Sequence, residues 1–411
     1  MDDSFADLGV APFFIERLAE RAVVKPTTIQ SIVMPRLIQG GNLIFSSATG
    51  TGKTFAYLIP LLQRLLETPH EDGGKPSPLM LICAPTYELC SQIKHELDFL
   101  LNPGDTRTAA GAAYGACGNG PLLAGLSLIT SSLLIGSANM GRQIDALKKE
   151  RPLVIVGNPG RLLQLERMGK LGLNRLRYLV LDEGDRLFQD DLLPETRELM
   201  EKLPEERFST ACSATMPAKA RERLIPFMGR EPSFTEADGL DILRKAIEHW
   251  AFFSEERRKI ASLRSLIAAL NPKKTLVFTG RGGGIGNIVS QLQYHHIAAA
   301  GISGGMDRKN RKKSLDDFRS GRVKVLVASD LASRGLDIAG IDLAAALDVP
   351  ADREAYLHRA GRTGRAGKRG IMASIGDEEE MRRLALLEKK LGIVVYPKVL
   401  YRGKVIAADS Q

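Results

Sequence analysis

A glycine-rich stretch near the start of the chain has the residues of a phosphate-binding loop. The run Ser46-Ser47-Ala48-Thr49-Gly50-Thr51-Gly52-Lys53-Thr54 follows an apolar segment, residues 43–45, and precedes a helical pattern of apolar residues. Glycines let successive backbone N–H groups face one oxyanion, and the N-terminus of the following helix favours negative charge. The ammonium of Lys53 can reach terminal phosphates, and the hydroxyl of Thr54 can bind Mg²⁺. The stretch therefore predicts nucleotide binding through Ser47, Ala48, Thr49, Gly50, Thr51, Gly52, Lys53 and Thr54.

Two details of this stretch bear on the prediction. Ser47 stands where the usual pattern has glycine. A plain glycine-rich turn between a strand and a helix is the alternative. The complete Gly-Lys-Thr ending, placed between an apolar run and a helix, favours phosphate binding over that alternative.

Two adjacent acids end another apolar segment. Asp182 and Glu183 directly follow residues 178–181, which read as a buried strand. Phosphate hydrolysis needs one carboxylate to hold the shell of Mg²⁺ and a second to orient or deprotonate water. A pair of acids that caps a helix is the alternative. Because a phosphate loop lies in the same half of the chain, we favour the hydrolytic interpretation.

An arginine-rich run lies in the second half of the chain, where the sequence reads His358-Arg359-Ala360-Gly361-Arg362-Thr363-Gly364-Arg365. Arginine donors stabilise charge that develops on a transferring γ-phosphate. The spacing of Arg359, Arg362 and Arg365 predicts that they share one helix face. A solvated basic helix is the alternative, and the interleaved glycines count against it. This run predicts a hydrolytic site completed by a second domain.

The elements that must position these residues read as an alternation of strands and helices. Polar motifs repeatedly follow apolar strand candidates, and the carboxyl edge of a parallel sheet is where ligands bind. The strand candidates are residues 43–45, 79–84, 153–157, 178–181, 208–212, 275–278, 323–328, 343–347 and 370–374. We predict an N-terminal domain of residues 1–228 with an irregular insert at about 102–126, a linker at 229–245 and a C-terminal domain of residues 246–411.

Composition narrows the class of protein. The chain has 411 residues, 44% of them hydrophobic, and a net charge of +9, which favours polyanionic partners without deciding for nucleic acid. The four scattered cysteines lack zinc-ligand or redox spacing, so we expect reduced, structural thiols in a cytoplasmic protein. No apolar run reaches about 18 residues, so we expect no membrane span. The acidic start of the chain is unlike a signal peptide.

Taken together, these stretches resemble the DEAD-box RNA helicases of helicase superfamily 2, and the resemblance runs from Phe5 to about Lys404. It implies an α/β fold of two RecA-like domains, each a mostly parallel sheet flanked by helices, joined by a short linker. It also implies ATP and Mg²⁺ as cofactors. The run Asp182-Glu183-Gly184-Asp185 stands at the motif that names the family, with Gly184 in place of alanine.

The resemblance assigns roles to individual residues of this sequence. Adenine and ribose contacts fall to Phe5, Lys25, Gln30 and Asp337. The residues of hydrolysis are Lys53, Asp182, Glu183, His358, Arg362 and Arg365, with Thr54 and Asp182 at the metal and Glu183 as the base. Coupling to strand separation falls to Asp185, Ser213 and Thr215. Contacts to RNA phosphates and 2′-hydroxyls, largely independent of base sequence, fall to Pro85, Thr86, Gly136, Pro159, Gly160, Arg161, Thr279, Gly304 and Arg311.

The chain departs from the family pattern mainly on the RNA side. Tyr87 replaces an arginine, Asn158 a threonine and Arg308 a glutamine, while Ser137 stands in a glycine pair. Because the residues of hydrolysis match the family, we predict an RNA-stimulated ATPase that opens local RNA duplexes or remodels RNA–protein complexes. The altered residues on the RNA side motivate the alternative, an ATP-gated RNA clamp with weak unwinding. A DNA translocase is the third hypothesis. A monomer is expected, with RNA as partner, possible targeting by a partner protein, and no membrane association.

Overall fold

The computed structural model describes residues 4–47, 50–68, 77–102, 129–236, 246–280, 284–330, 338, 340–364 and 369–408. The chain divides into two compact units, with the main division after residue 237. Of the predicted insert at 102–126, only Asn102 lies within the described residues. No helix among the described residues is both long and apolar enough to cross a membrane.

In the described part of the first unit, seven strands form one parallel sheet in the order β3-β4-β2-β5-β6-β1-β7. Its strands are β1 (Leu43–Ser46), β2 (Met80–Cys83), β3 (Ser131–Leu134), β4 (Val154–Gly157), β5 (Tyr178–Asp182), β6 (Phe208–Ser213) and β7 (Ser233–Glu236). Its helices are α1 (Pro12–Glu20), α2 (Thr28–Ile38), α3 (Lys53–Glu67), α4 (Tyr87–Leu101), α5 (Met140–Glu150), α6 (Pro159–Arg167), α7 (Gly184–Leu187), α8 (Leu193–Glu201) and α9 (Ala218–Leu224), followed by a 3-10 turn, Ile225–Phe227.

Strands β1, β2, β4 and β5 of the first sheet are buried on both faces because they are nearly continuous apolar runs. Successive residues of β1 point to opposite faces: Leu43 and Phe45 join one apolar core, whereas Ile44 joins the other. The two cores place helices on both faces of the sheet. The carboxyl ends of the strands are left at one edge, where the polar motifs follow them.

In the described part of the second unit, eight strands form a sheet in the order β10-β11-β9-β12-β13-β8-β14-β15, which is parallel except for the final pair. Its strands are β8 (Ile247–Phe253), β9 (Thr275–Phe278), β10 (Ala299–Ile302), β11 (Val325–Ala328), β12 (Leu343–Ala346), β13 (Gly370–Gly376), β14 (Val395–Tyr401) and β15 (Lys404–Ala407). Its helices are α10 (Lys259–Leu270), after a 3-10 turn at Glu256–Arg258, α11 (Ile285–Tyr294), α12 (Arg308–Arg319), α13 (Arg353–Ala360) and α14 (Glu378–Leu391).

The predicted fold class of two mostly parallel sheets flanked by helices is confirmed. One detail of the predicted organisation needs correction. Residues 233–236 of the predicted linker form β7, which pairs with β1 and so belongs to the first sheet. In the second sheet, β14 pairs in parallel with β8 and in antiparallel with β15.

Candidate functional site

The phosphate loop is built around left-handed glycines at the start of α3. Gly50 and Gly52 have φ angles of 81° and 85°, and Gly52 immediately precedes Lys53, the first residue of the helix. A side chain at Gly52 is excluded twice, since its Cβ would also lie 2.5 Å from the amide nitrogen of Gln30. The ammonium of Lys53 donates to the carbonyl oxygen of Ser47 at 2.6 Å, which holds it over the loop.

Other hydrogen bonds brace the same loop. The hydroxyl of Ser47 donates to that of Thr51 at 2.9 Å. The hydroxyl of Thr27 donates to the carbonyl oxygen of Thr51 at 2.7 Å. Ser47 therefore supports the loop through a hydroxyl that glycine would lack. Ala48 and Thr49 lie outside the described residues.

Gln30 connects the loop to helix α2. Its Oε1 accepts the backbone N–H of Thr27 at 2.9 Å, and its Nε2 donates to the carbonyl oxygen of Gly52 at 3.2 Å. One amide therefore bonds to both a helix N-terminus and the phosphate loop, and Gln30 is buried there. In the structure Gln30 lies at the phosphate loop, and its contact with adenine stays a prediction.

The two other residues predicted to contact adenine lie in different environments. Phe5 is 2% exposed and packs in the main apolar core of the first unit, so in this structure its ring serves packing. Lys25 is exposed on the turn before α2. Their predicted contacts with the base remain predictions.

The acidic motif lies at the end of β5, where Asp182 is fixed by its surroundings. Its Oδ2 accepts from the phenolic hydroxyl of Tyr57 at 2.8 Å, and its Oδ1 accepts from the backbone N–H of Glu183 at 2.9 Å. The thiol of Cys212 on β6 lies 3.2 Å from the same Oδ1. Thr54 precedes Tyr57 by three residues on α3, so one helix face carries Thr54 and the tyrosine that holds Asp182.

Burial shapes the protonation states around this carboxylate. Burial, together with the neighbouring charge of Asp182, raises the pKa of Tyr57 and of Cys212 well above their usual values. Both groups therefore stay neutral near pH 7 and remain donors. Burial lowers the pKa of Lys53, although the carboxylates of Asp182, Glu183 and Asp185 oppose the shift.

The turn that follows Asp182 has an unusual backbone. Glu183 has φ 49° and ψ 50°, a left-handed conformation that is uncommon for a residue with a side chain. The chain therefore turns sharply at Glu183, between β5 and the short helix α7. Such outliers persist where the surrounding structure holds them, and here Asp182 holds the backbone N–H of Glu183.

The coupling motif on β6 packs directly against the acidic motif. The hydroxyl of Ser213 donates to Oδ1 of Asp185 at 2.5 Å, and both side chains are buried. The hydroxyl of Thr215 is buried without a hydrogen-bond partner among the described residues. Two of the three predicted coupling residues are thus joined by a direct bond.

Gly184, the departure from the family motif, faces the last residue of α9. A Cβ at this position would lie 3.1 Å from Cδ1 of Leu224, and 3.7 Å from both Cβ of Ala211 and Cε of Met216. Leu224 is fully buried. The space that a methyl group at residue 184 would need is therefore partly taken by Leu224.

A predicted RNA-facing turn of the first unit is held by Arg161. Its guanidinium donates to the carbonyl oxygens of Gly136 and Ala138 at 2.8 and 3.2 Å and to Oε1 of Gln143 at 2.8 Å. The Oδ1 of Asn158 accepts the backbone N–H of Gly136 at 3.2 Å. Three RNA-motif positions are thus brought together, but Arg161 is 7% exposed and positions the turn from within.

The remaining predicted RNA residues of the first unit lie at helix starts. The hydroxyl of Thr86 accepts the backbone N–H of Leu89 and caps α4, directly after the partly buried Pro85. Pro159 is the first residue of α6, and a Cβ at Gly160 would lie 2.8 Å from the carboxylate of Glu195. Helix starts present backbone N–H groups, which suit phosphate oxygens.

In the second unit, the prediction that Arg359, Arg362 and Arg365 share one helix face is wrong. Helix α13 ends at Ala360, and Gly361 and Gly364 take the chain out of it, Gly364 with φ 68°. Arg362 is buried in the turn beyond the helix, and His358 is partly buried in its last turn. Arg365 and Asp337 lie outside the described residues.

Arg359 has a structural role. Its guanidinium binds both carboxylate oxygens of Asp330 at 2.7 Å and also contacts the carboxylate of Asp348 at 2.8 Å. Asp330 and Asp348 follow β11 and β12, so one arginine joins the ends of two strands. With Thr279 after β9, these residues line a cavity of about 630 Å³ at this edge.

The other predicted RNA residues of the second unit occupy two elements. Gly304 is exposed after β10, with no described atom within 4 Å of a Cβ built there. The same openness holds at Gly136 in the first unit. Arg311 lies in the first turn of α12 and is partly buried. Open glycines permit close approach of a ligand backbone.

Three residues escaped the sequence analysis. Tyr57 sits in an apolar helical pattern, and only its hydroxyl at i+3 from Thr54 could have suggested a polar role. The support that Asn158 and Gln143 give to the turn at Gly136 depends on contacts between elements, which sequence spacing does not encode. Together, the site offers a phosphate cradle, a fixed carboxylate and a second acid at a strand end, the groups that nucleotide hydrolysis needs.

Comparison with known proteins identifies the family. The family pattern described as DEAD/DEAH box helicase matches residues 27–224, and that described as helicase conserved C-terminal domain matches residues 258–367. The DEAD-box ATP-dependent RNA helicase CshC of Bacillus cereus is 30% identical over 394 residues, which cover 96% of this chain and 93% of that protein. The chain belongs to the DEAD-box family of ATP-dependent RNA helicases.

Other relatives agree with this membership. The ATP-dependent RNA helicase RhlB of Shewanella baltica is 31% identical over 408 residues, covering 98% of this chain and 87% of that protein. The structure of S. cerevisiae Dbp5 bound to RNA and ADP BeF3 is similar with a TM-score of 0.79 and 25% identity, covering 96% and 95% of the two chains. Mss116p bound to ssRNA and AMP-PNP shares the fold, with a TM-score of 0.78 and 23% identity over 96% of this chain and 78% of that chain. This DEAD-box chain is thus an ATP-dependent RNA helicase by family.

Proposed function

We propose that this DEAD-box protein hydrolyses ATP in an RNA-stimulated manner and couples hydrolysis to local opening of RNA duplexes or to remodelling of RNA–protein complexes. The observation that carries the proposal is the hydrogen bond from Tyr57 on α3 to Asp182 at the end of β5, beside Lys53 on its glycine loop. This bond fixes the carboxylate relative to the helix that begins at the phosphate cradle. The variant motif Asp182-Glu183-Gly184-Asp185 serves here as the family's name motif.

The residues present fit Mg²⁺. Thr54 and Asp182 offer a hydroxyl and a carboxylate oxygen, the hard ligands that this ion prefers, and Tyr57 holds the carboxylate in place. When bound with ATP, Mg²⁺ would neutralise charge on the phosphates. Lys53 adds a second positive charge at the same loop, on a side chain already aimed at the carbonyl oxygen of Ser47.

The remaining catalytic roles follow from the chemistry of each side chain. Glu183 is proposed to orient and deprotonate the attacking water, because its carboxylate belongs to the residue that directly follows Asp182 at the end of β5. Arg362 and Arg365 are proposed to stabilise charge on the γ-phosphate, and His358 to pair with the name motif. Asp337 is proposed to contact the ribose, and Phe5, Lys25 and Gln30 the adenine.

Coupling to RNA is proposed to run through the bond between Ser213 and Asp185, with Thr215 next to it. RNA phosphates and 2′-hydroxyls are proposed to contact the turns and helix starts already described, without reading base sequence. The supporting observation is that these residues lie at the carboxyl ends of strands or at helix N-termini, where backbone N–H groups and open glycines favour phosphate. They are Pro85, Thr86, Gly136, Pro159, Gly160, Arg161, Thr279, Gly304 and Arg311.

A second candidate function is an ATP-gated RNA clamp that hardly unwinds. Tyr87 begins α4 where the family pattern has a phosphate-binding arginine, and Asn158 bonds inward to Gly136. Both changes reduce the side chains available to RNA.

We also propose that the protein acts as a monomer and that a partner protein can direct it to its RNA. We propose a cytoplasmic location, consistent with the buried, free thiols of Cys83, Cys90 and Cys212.

The test is the rate of ATP hydrolysis with and without RNA, run beside a short-duplex unwinding assay, with DNA as a second polymer. We expect RNA stimulation that is lost in Lys53→Ala and in Glu183→Gln, with Glu183→Gln still binding nucleotide. Strong stimulation with negligible unwinding would favour the clamp. Equal stimulation by DNA would favour a translocase on DNA, and full turnover in Lys53→Ala would remove the loop assignment.

A further inference from the structure

The outer edge of the second sheet carries an aromatic pair that no known motif explains. Trp250 on β8 and Tyr396 on β14 are register partners in the parallel pairing of these strands, so their side chains lie on the same face of the sheet. The two family patterns match residues 27–224 and 258–367, and both aromatic residues lie outside them. The pair is therefore not part of the motifs that define the helicase core.

A lysine lies over both rings. The Nζ of Lys398 is 5.5 Å from the ring centroid of Trp250 and 5.7 Å from that of Tyr396. These distances are within the range of cation–π attraction, which holds the ammonium at the aromatic surface. We name Trp250, Tyr396 and Lys398 the Trp250 platform.

The platform is ordered and open to solvent. The indole Nε1 of Trp250 donates to the carboxylate of Glu248 at 3.1 Å, and the indole packs edge-on against Phe252, which is buried. Tyr396 nevertheless exposes 48% of its surface, and Trp250 is partly exposed. Rigid aromatic rings at a surface lose little conformational entropy when a ligand stacks on them.

The hairpin of β14 and β15, which carries Tyr396 and Lys398, is basic. Residues 395–408 contain Lys398, Arg402 and Lys404 and no acidic residue. Arg402 and Gly403 form a two-residue turn, with φ angles of 47° and 76°, that presents the cations at the tip of the hairpin. A surface of aromatic rings bordered by cations complements a polyanion with flat bases.

We propose that the Trp250 platform is a second, sequence-independent binding site for single-stranded RNA, separate from the helicase motifs. Bases stack on Trp250 and Tyr396, and a backbone phosphate pairs with Lys398, since stacking platforms bordered by cations bind single strands in this way. The proposal rests on the RNA helicase function, because that function supplies RNA as the ligand. It gives the protein a tether for RNA strands that extend beyond the duplex being opened.

The chain offers a direct reporter, because Trp250 is its only tryptophan. The experiment titrates the full-length, nucleotide-free protein with oligo(U) of about 25 nucleotides, longer than one single-strand site, and follows tryptophan fluorescence. We expect quenching, and an increase of about 5- to 10-fold in the half-saturating RNA concentration in Tyr396→Ala. In Lys398→Gln we expect the salt dependence of binding to decrease by about 0.7 in the log–log slope.

A matched control is Tyr294→Ala, because Tyr294 is an 80% exposed tyrosine of the same unit, on α11. This control should bind oligo(U) as the unchanged protein does. Absence of quenching, or equal effects of Tyr396→Ala and Tyr294→Ala, would overturn the proposal. Equal quenching by poly-glutamate, which lacks bases, would also overturn it and indicate an acidic protein partner.

The ATPase assay separates this proposal from the proposed function. RNA-stimulated hydrolysis without a response of Trp250 would leave the helicase assignment intact and remove the platform. A response of Trp250 without RNA-stimulated hydrolysis would leave the platform intact and remove the proposed RNA-stimulated ATPase function. Turnover at saturating RNA should be the same in Tyr396→Ala as in the unchanged protein, since the platform holds RNA and does not touch ATP.

Discussion

Tyr57 donates its phenolic proton to Oδ2 of Asp182 across 2.8 Å, and both side chains are buried in the first unit. The other oxygen of the carboxylate accepts the backbone N–H of Glu183. Asp182 is therefore fixed at both oxygens before any nucleotide binds. The tyrosine comes from α3, the helix that also begins with Lys53, so the phosphate loop and the acidic strand end are coupled through one hydroxyl.

Tyr57→Phe tests this coupling. Removing the hydroxyl leaves the ring in place but frees Oδ2 of Asp182. Outer residues that orient metal ligands typically contribute about 10- to 100-fold to metal affinity, so we expect the Mg²⁺ concentration for half-maximal ATPase activity to increase about 10-fold. A Mg²⁺ titration of RNA-stimulated hydrolysis measures this change.

Tyr178→Phe is the matched control for this measurement. Tyr178 is also buried in the first unit, and its hydroxyl lies 2.9 Å from that of Thr68, away from the acidic motif. The hydroxyl of Tyr178 also donates to the carbonyl oxygen of Arg64 at 3.3 Å, so each variant loses hydroxyl hydrogen bonds that contribute about 1 kcal/mol each to stability. Similar melting temperatures with a changed Mg²⁺ requirement only in Tyr57→Phe support the coupling; an unchanged requirement contradicts it.

The sequence predicted most of the strands that carry motifs, because parallel strands buried on both faces appear as short apolar runs. Six strands escaped prediction: Ser131–Leu134, Ser233–Glu236, Ile247–Phe253, Ala299–Ile302, Val395–Tyr401 and Lys404–Ala407. Of these, Ser131–Leu134 and Ser233–Glu236 begin with serine and are not buried along their whole length, and Ala299–Ile302 contains Gly301. Edge strands β3, β7 and β10 bury less surface than central ones, so their apolar signal is weaker.

The candidate site was predicted residue by residue at its motifs but not in its contacts. Spacing suggested a common helix face for Arg359 and Arg362, whereas the two side chains serve different purposes because Gly361 lets the helix end between them. Arg161 has the charge expected of an RNA contact, yet its guanidinium bonds inward to the turn at Gly136. Local pattern predicts the residue types of a site, and long-range packing decides which of them face the ligand.

Gly184 and Leu224 are expected to behave as a matched pair. Gly184→Ala places a Cβ 3.1 Å from Cδ1 of Leu224 and should lower stability by about 1 kcal/mol through overpacking. In a Leu224→Ala background the same methyl group fills part of a cavity and should become stabilising. A double-mutant cycle followed by thermal unfolding should thus show a coupling free energy above about 0.5 kcal/mol, and additive effects would contradict the pairing.

The pH dependence of ATP use should report on Lys53. Burial lowers the pKa of its ammonium, so the positive charge is present at neutral pH and is lost as the pH rises, at a lower pH than for an ordinary lysine at 10.5. Since kcat/KM reports groups of the free enzyme, its alkaline decrease should be centred below 10.5.

Tyr57 and Cys212 should not contribute to this alkaline decrease of kcat/KM, since burial raises the pKa of both groups well above their usual values. Lys53→Arg is the control, because a guanidinium stays charged throughout this range. Its kcat/KM should be lower overall but should lose the alkaline decrease. A decrease that persists in Lys53→Arg would assign the titration to another group.

Arg359 and Arg362 should separate stability from catalysis. Arg359→Gln removes the buried charge that holds the partly exposed Asp330 and Asp348 together, and losing hydrogen bonds to such charged groups costs about 1.5 to 3 kcal/mol. Arg362→Gln should instead slow ATP turnover by about 100-fold or more, with little change in KM for ATP, if it stabilises the γ-phosphate in the transition state. Melting of the second unit, followed by the fluorescence of Trp250, and steady-state ATPase kinetics measure the two effects. A larger loss of stability in Arg362→Gln than in Arg359→Gln, or undiminished turnover in Arg362→Gln, would reverse the two assignments.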